Sequence, residues 1–254
     1  MMRLVIVLLL LAGVGAGAAA AQERAPVSTV PLSRMDTPWW RARHLEKLAL
    51  LRAGPVDLVW LGDSITQNWE ASGPAEWMDF SRVWQQYYGS RHALNLGFKG
   101  DTTQHVLWRI ANGELDGIAP RAVVVLVGAN NLGRVRNTAA QTVAGIEAVV
   151  GAVRSKVPGA HVVLVGVLPS VRSMYVTRTT ERTNAALVQR FAGVAGVTYI
   201  DATALFVRDG IVDRSSFYDD QLNPPEPPLH PTPAAMGRLA ALIEPVLARS
   251  MGRR

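Results

Sequence analysis

The run Ala122-Val123-Val124-Val125-Leu126-Val127 carries no polar residue on either face that a strand would present. Six apolar residues in a row suit a strand of a parallel sheet, which is covered on both sides. A strand of that kind needs helices above and below it, so this run already selects an α/β architecture. The rest of the chain agrees. Strands are expected over residues 57–61, 93–96, 161–168 and 197–200, interleaved with helices over 39–51, 76–88, 102–111, 138–157 and 180–192. A last helix starts with Thr232 as N-cap and Pro233 in its first position, runs towards residue 248 and is expected to kink at Pro245.

The first 21 residues read as a secretory signal. Arg3 supplies the positive start, Leu4 to Leu11 the apolar core, and Ala19-Ala20-Ala21 a small-residue cleavage site before Gln22. Residues 22–36 are polar and proline-bearing and read as a leader, flexible or ordered by contact; residues 37–254 form one domain. Export to a bacterial periplasm or medium follows as an expectation, with no stable membrane anchor. The chain has no cysteine, which excludes disulfides, thiolate nucleophiles and zinc–cysteine sites. Its net charge of +6 comes from scattered arginines without an aromatic-interleaved basic run. Nucleic acid is therefore not an expected partner, and mild attraction to anionic substrates is the most the charge implies.

Four blocks fall at or just beyond expected strand ends, where such sheets collect ligands. Gly62-Asp63-Ser64-Ile65-Thr66 puts a serine in a glycine turn. Ser64 reads equally as a helix cap or as a nucleophile awaiting a base. Gly97-Phe98-Lys99-Gly100-Asp101-Thr102-Thr103 is a second glycine turn, without the Gly-Lys-Ser/Thr ending of a phosphate loop. Asn130, in Val127-Gly128-Ala129-Asn130-Asn131, either closes an Asx-turn or offers an amide to a developing oxyanion. His230 is the one histidine of five placed in a loop at a helix entrance. Trp69 is a candidate pocket wall, although large aromatics more often pack in the core.

Together the four blocks resemble the SGNH hydrolases, and most of all the catalytic subunits of intracellular platelet-activating-factor acetylhydrolase. The likeness is carried by Gly100-Asp101-Thr102-Thr103-Gln104-His105-Val106-Leu107-Trp108-Arg109, by Asn112-Gly113-Glu114-Leu115 and by the stretch from Val123 to Asn131. It implies a three-layer α/β/α sandwich around a central parallel sheet, of the flavodoxin-like kind. It also implies a serine esterase for short acyl groups, chiefly acetyl. Ser64 would be the nucleophile, His230 the general base, and the oxyanion hole would combine the Ser64 and Gly100 N–H groups with the Asn130 side chain. Gly97 would make the tight turn. No cofactor and no metal is implied, and the substrate would be a small-molecule or carbohydrate ester; a homodimer is an open expectation.

One position departs from the pattern. The family places an aspartate three residues before the histidine, where this chain has Pro227. Glu226 is favoured by a small margin on local reach. Asp219, in Phe217-Tyr218-Asp219, resembles the residues around the family aspartate with an insertion following. Asp220 is a third option, and a Ser–His dyad assisted by a backbone carbonyl a fourth. The rival reading is a binding module that has lost its acid.

Overall fold

The computed structural model describes residues 26–73 and 79–252. The signal segment and the first part of the leader lie outside the described residues.

Five strands build the central sheet: β1 (Leu58–Gly62), β2 (Ala93–Gly97), β3 (Ala122–Leu126), β4 (His161–Val165) and β5 (Val197–Ile200). All pair in parallel, in the order β2-β1-β3-β4-β5. Every residue of β1 and β3 is buried, as the unbroken apolar run requires.

The helices follow from this order. Chain progress runs one way from β1 to β2 and then reverses across β1 to β3, β4 and β5. With right-handed crossovers, the reversal sends helices to opposite faces. On one face lie α4 (Thr103–Ala111), α6 (Ala139–Lys156) and α7 (Met174–Phe191), packed side by side. On the other, α8 (Pro233–Met251) packs on β3, β4 and α3 (Ser81–Tyr88). The sequence therefore indicated the α/β/α layering correctly. Helix α1 (Pro38–Ala53) packs its Trp40 and His44 rings against Trp108 of α4.

Some boundaries differ from expectation for local reasons. Helix α7 starts six residues early, in a segment rich in β-branched residues. Ser173 accepts the Val176 N–H as its cap, and the hydroxyls of Thr177, Thr179 and Thr183 bond back to carbonyls four residues earlier. Those bonds hold threonines in a helix they do not intrinsically favour. Strand β4 stops at Val165 because the Asn184 side chain takes both the N–H and the C=O of Val167 out of the ladder. Helix α3 begins at Ser81; the expected start at Glu76 lies outside the described residues. Helix α8 runs on through Pro245. The leader from residue 26 lies against the domain: Thr103 Oγ1 donates to the Ser28 carbonyl at 2.8 Å, and the Leu32 N–H donates to the Gln104 carbonyl at 3.0 Å. Trp69 is core, ringed by Trp60, Phe80, Trp84 and Tyr88, and 2% exposed.

Gly97 ends β2 where the chain after β1 passes closest to the sheet. A Cβ there would lie 2.1 Å from the Gln67 backbone nitrogen. Gly151, on the exposed side of α6, has nothing within 4 Å of such a Cβ. Gly97→Ala is therefore expected to cost about 1–3 kcal/mol by overpacking. Gly151→Ala should add about 0.5–1 kcal/mol through helix propensity. Equilibrium urea unfolding of both variants checks the opposite signs.

Candidate active site

The strand order brings the three turns together. β1 sits between β2 and β3, with Gly62 level with Gly97 on one side and Leu126 on the other. The segments carrying Ser64, Gly100 and Asn130 thus leave the sheet at neighbouring carboxyl ends, and no long-range loop is needed to assemble them.

Ser64 opens the short helix α2 (Ser64–Gln67). It is not the cap. Asp63 fills that role, its Oδ1 accepting the Ile65 N–H at 3.0 Å. The Ser64 hydroxyl is thereby left for another partner, and His230 Nε2 stands 3.0 Å from its Oγ. The Ser64 N–H, in the first turn of the helix, is one of the donors with no intrahelical acceptor.

Asp101 donates its N–H to the Phe98 carbonyl at 3.1 Å, closing a tight turn with Gly100 at φ 80°. Gly100 and not Gly97 is the residue that needs the left-handed conformation, which corrects the expectation for that turn. Helix α5 (Ala129–Gly133) presents Asn130, whose Nδ2 donates to the Asp101 carbonyl at 2.9 Å. This bond holds the amide beside the Gly100 turn and uses one of its two N–H groups. The neighbouring Asn131 faces the other way, accepting the Thr103 N–H and donating to Thr103 Oγ1 and Asn137.

His230 is positioned from the far end of the chain. A bridge between Phe217 and Pro231, and the Tyr218 N–H on the His230 carbonyl, lay the segment before α8 against residues 217–219. Asp219 Oδ1 lies 2.7 Å from His230 Nδ1, while its Oδ2 accepts the backbone N–H of Leu229 at 2.7 Å and of His230 at 2.6 Å. The Tyr218 ring stacks on the imidazole at 5.6 Å between centroids, and its hydroxyl accepts from Asn68 Nδ2 at 2.8 Å. With Nδ1–H directed at the carboxylate, Nε2 is left to accept the Ser64 proton.

The small preference for Glu226 is corrected by this geometry. Glu226 is exposed, and its contact with the aspartate is through its backbone N–H on the Asp219 carbonyl. The chain after Asp219 folds back on it, so eleven residues of sequence separation become one hydrogen bond. Asp220 is directed away, into an ion pair with Arg214. Nothing in the arrangement calls for a backbone carbonyl as the imidazole's partner.

Beneath the turns lies a buried ionic knot. Arg109, fully buried, donates from Nε to Asp101 Oδ2 at 2.9 Å, from Nη2 to the Gly62 carbonyl at 3.1 Å and from Nη1 to the Leu96 carbonyl at 3.2 Å. It also pairs with Glu114 and lies 4.0 Å over the Phe98 ring. Burial pushes the Asp101 carboxyl up, against the pull of Arg109, Trp40 and Arg34. His105 is pushed down to about 4 by burial and by Arg34, Arg109 and Arg134, so it is neutral and its Nδ1 accepts the Thr102 N–H in the cap of α4. Among the described residues no three His, Asp or Glu side chains converge on a metal position.

Sequence reading missed two residues. Asp63 was seen only as a neighbour of Ser64, although Asp at an N-cap position is a recognisable signal. Arg172 follows β4 just past Pro169-Ser170, and nothing in the sequence marks it as a site residue. Its guanidinium donates to Ser170 Oγ at 3.1 Å and to the Ala129 carbonyl at 2.9 Å.

The GDSL-like Lipase/Acylhydrolase family model matches residues 60–238. Subunit alpha1 of bovine (Bos taurus) platelet-activating factor acetylhydrolase IB is 37% identical over 182 residues, 71% of this chain and 73% of that one. A GDSL-like lipase from Bacteroides thetaiotaomicron superposes with a TM-score of 0.61 at 17% identity, covering 82% of this chain and 97% of that one. A carbohydrate esterase family 3 protein from Talaromyces cellulolyticus gives 0.57 at 18% identity, covering 77% and 98%. The chain belongs to the GDSL-like lipase/acylhydrolase family, whose members include the SGNH hydrolases that its four blocks resemble.

Asp63 provides a test of the site's electrostatics. It is 1% exposed, and burial raises its carboxyl from the ordinary 3.8 to about 6, against the Ile65 N–H, His230 and Arg172, which favour the anion. Between about pH 4 and pH 6 the folded protein holds a proton there that the unfolded chain has released, so this contribution to stability falls as pH rises. A shift of about two units corresponds to about 3 kcal/mol. Asp63→Asn keeps an oxygen for the Ile65 N–H and removes the charge. Its stability relative to wild type should therefore rise by up to about 3 kcal/mol between pH 4 and pH 7, read by urea unfolding at each pH.

Proposed function

We propose that this family member is an exported serine esterase that removes short acyl groups, chiefly acetyl, through an acyl-enzyme on Ser64. The observation that carries the reading is the relay Ser64 Oγ, His230, Asp219, with separations of 3.0 Å and 2.7 Å. His230 Nε2 takes the Ser64 proton as Oγ attacks the ester carbonyl carbon. The carbonyl oxygen becomes an oxyanion, met by the Ser64 and Gly100 N–H groups and the remaining N–H of Asn130. Collapse of the tetrahedral intermediate breaks the bond to the alcohol, which leaves with the proton from His230. Water, activated by the same imidazole, then hydrolyses the acyl-enzyme, and Asp219 holds the ring and steadies its charge in both halves.

The acetyl preference rests on likeness to acetylhydrolase subunits, and a carbohydrate substrate on the fold shared with carbohydrate and acetyl-xylooligosaccharide esterases. Export rests on the N-terminal sequence. The alternative of a binding module lacking its acid has no support left once Asp219 stands at His230.

Hydrolysis of p-nitrophenyl acetate and labelling by a fluorophosphonate test the proposal. Ser64→Ala should lose both. Asp219→Asn should lower kcat by about 10²–10⁴, and Glu226→Gln should match wild type. Labelling that persists in Ser64→Ala, or absent turnover in the wild type, would sink the esterase reading.

A further inference from the structure

Arg172 has no part in the relay, yet it spans the site. At one end its Nη2 holds the carbonyl of Ala129, the residue before Asn130. At the other its Nε donates to Ser170 Oγ, which itself donates to the Pro228 carbonyl at 2.8 Å, two residues before His230. The guanidinium therefore bridges the oxyanion side of the site and the histidine loop. It is half-buried, and among the described residues no carboxylate pairs with it. Those two bonds use two of its five N–H donors, and among the described residues Nη1 makes no hydrogen bond. Burial pushes the group down while Asp63 and Asp219 pull it back up, so it stays a cation.

Two more cations stand at the Gly100 turn. Arg134 Nη1 lies over Gly100, 2.7 Å from where a Cβ would sit, and Lys99 is the exposed residue before that glycine. Neither forms an ion pair among the described residues. Of the carboxylates around them, Asp101 is held by Arg109 and Arg34 and Asp219 by His230, while Asp63 faces Arg172 without a hydrogen bond to it. The Arg172 guanidinium senses Asp63 and Asp219 but hydrogen-bonds to neither, which leaves its Nη1 donors available to an anionic ligand.

We infer that Arg172 forms an anion subsite for a carboxylate or phosphate borne by the alcohol part of the substrate. The alcohol side is indicated because the leaving oxygen takes its proton from His230, whose loop Arg172 reaches through Ser170. The inference rests on the esterase reading and narrows its substrate to anionic esters, such as those of acidic sugars or phosphorylated alcohols. Arg172 binds; it takes no part in the proton transfers.

The test compares kcat/KM for 4-acetoxybenzoate, 4-acetoxyphenyl phosphate and the neutral methyl 4-acetoxybenzoate. In Arg172→Gln the ratio of an anionic probe to the neutral one should fall about 10- to 100-fold, the range of a charge-assisted contact. Arg172→Lys should recover part of it, a point charge replacing a fork. Whichever anionic probe shows the larger fall identifies the oxyanion the subsite takes. Ratios unchanged for both would overturn the inference, and equal losses on all three esters would mark Arg172 as structural. Calorimetric titration of 4-hydroxybenzoate into Ser64→Ala and Ser64→Ala/Arg172→Gln needs no turnover. Weaker binding in the double variant supports the subsite, and equal binding refutes it, even if the esterase reading itself fails.

Discussion

The site depends on one buried cation. Arg109 reaches three backbone or side-chain oxygens that belong to different segments: the Gly62 carbonyl at the end of β1, the Leu96 carbonyl in β2, and Asp101 just past Gly100. It thus ties the turn that carries Ser64 to the turn that carries Gly100. Taking a guanidinium and two carboxylates out of water is expensive, and such a group is not a sure source of stability. What it supplies is geometry, because every donor is directed by a planar fork and few arrangements satisfy all of them. The Phe98 ring against its face and the Trp40 N–H on Asp101 Oδ1 at 2.8 Å restrict it further.

Around this knot the sheet does the coarse positioning. Neighbouring strand ends bring the serine, glycine and asparagine turns together at little cost in loop closure, since the parallel ladder is stable for its own reasons. His230 and Asp219 come from residues 217–231 and have no such ladder. Their order is local: one bridge, the N–H groups of Tyr218, Glu226, Leu229 and His230 directed at carbonyls or a carboxylate, and a stacked Tyr218 ring. The Ser64, Gly100 and Asn130 side is therefore built on strand ends, and the His230 and Asp219 side on a hydrogen-bonded loop.

That division explains what could be read from the sequence. The apolar run at 122–127 and its neighbours imposed the layers, and position put Ser64, Gly100 and Asn130 in turns after strands, while their expected roles came only with the family resemblance. The aspartate could not. Reach along the chain favoured Glu226, but a loop that folds back onto Asp219 makes sequence distance a poor measure of spatial distance. Arg172 was invisible for a related reason: its neighbours are set by Ala129, Ser170 and Pro228, three segments whose meeting only the fold decides. The early turns of α7 were hidden by threonines whose helix-compatible hydrogen bonds form only once the helix exists.

Three aspartates lie in this site, all buried, and their partners differ sharply. Asp101 faces two guanidinium groups and an indole N–H. Asp219 receives two backbone N–H groups and the imidazole. Asp63 has a single N–H on Oδ1, and its Oδ2 is buried with no hydrogen-bond partner among the described residues. The least compensated carboxyl is the one next to the nucleophile, where a charge is costly at rest. In the proposed reaction His230 becomes a cation on taking the Ser64 proton, and its attraction to Asp63 would grow as the barrier is climbed. An anion at Asp63 would thus be held poorly in the resting site and better in the activated one.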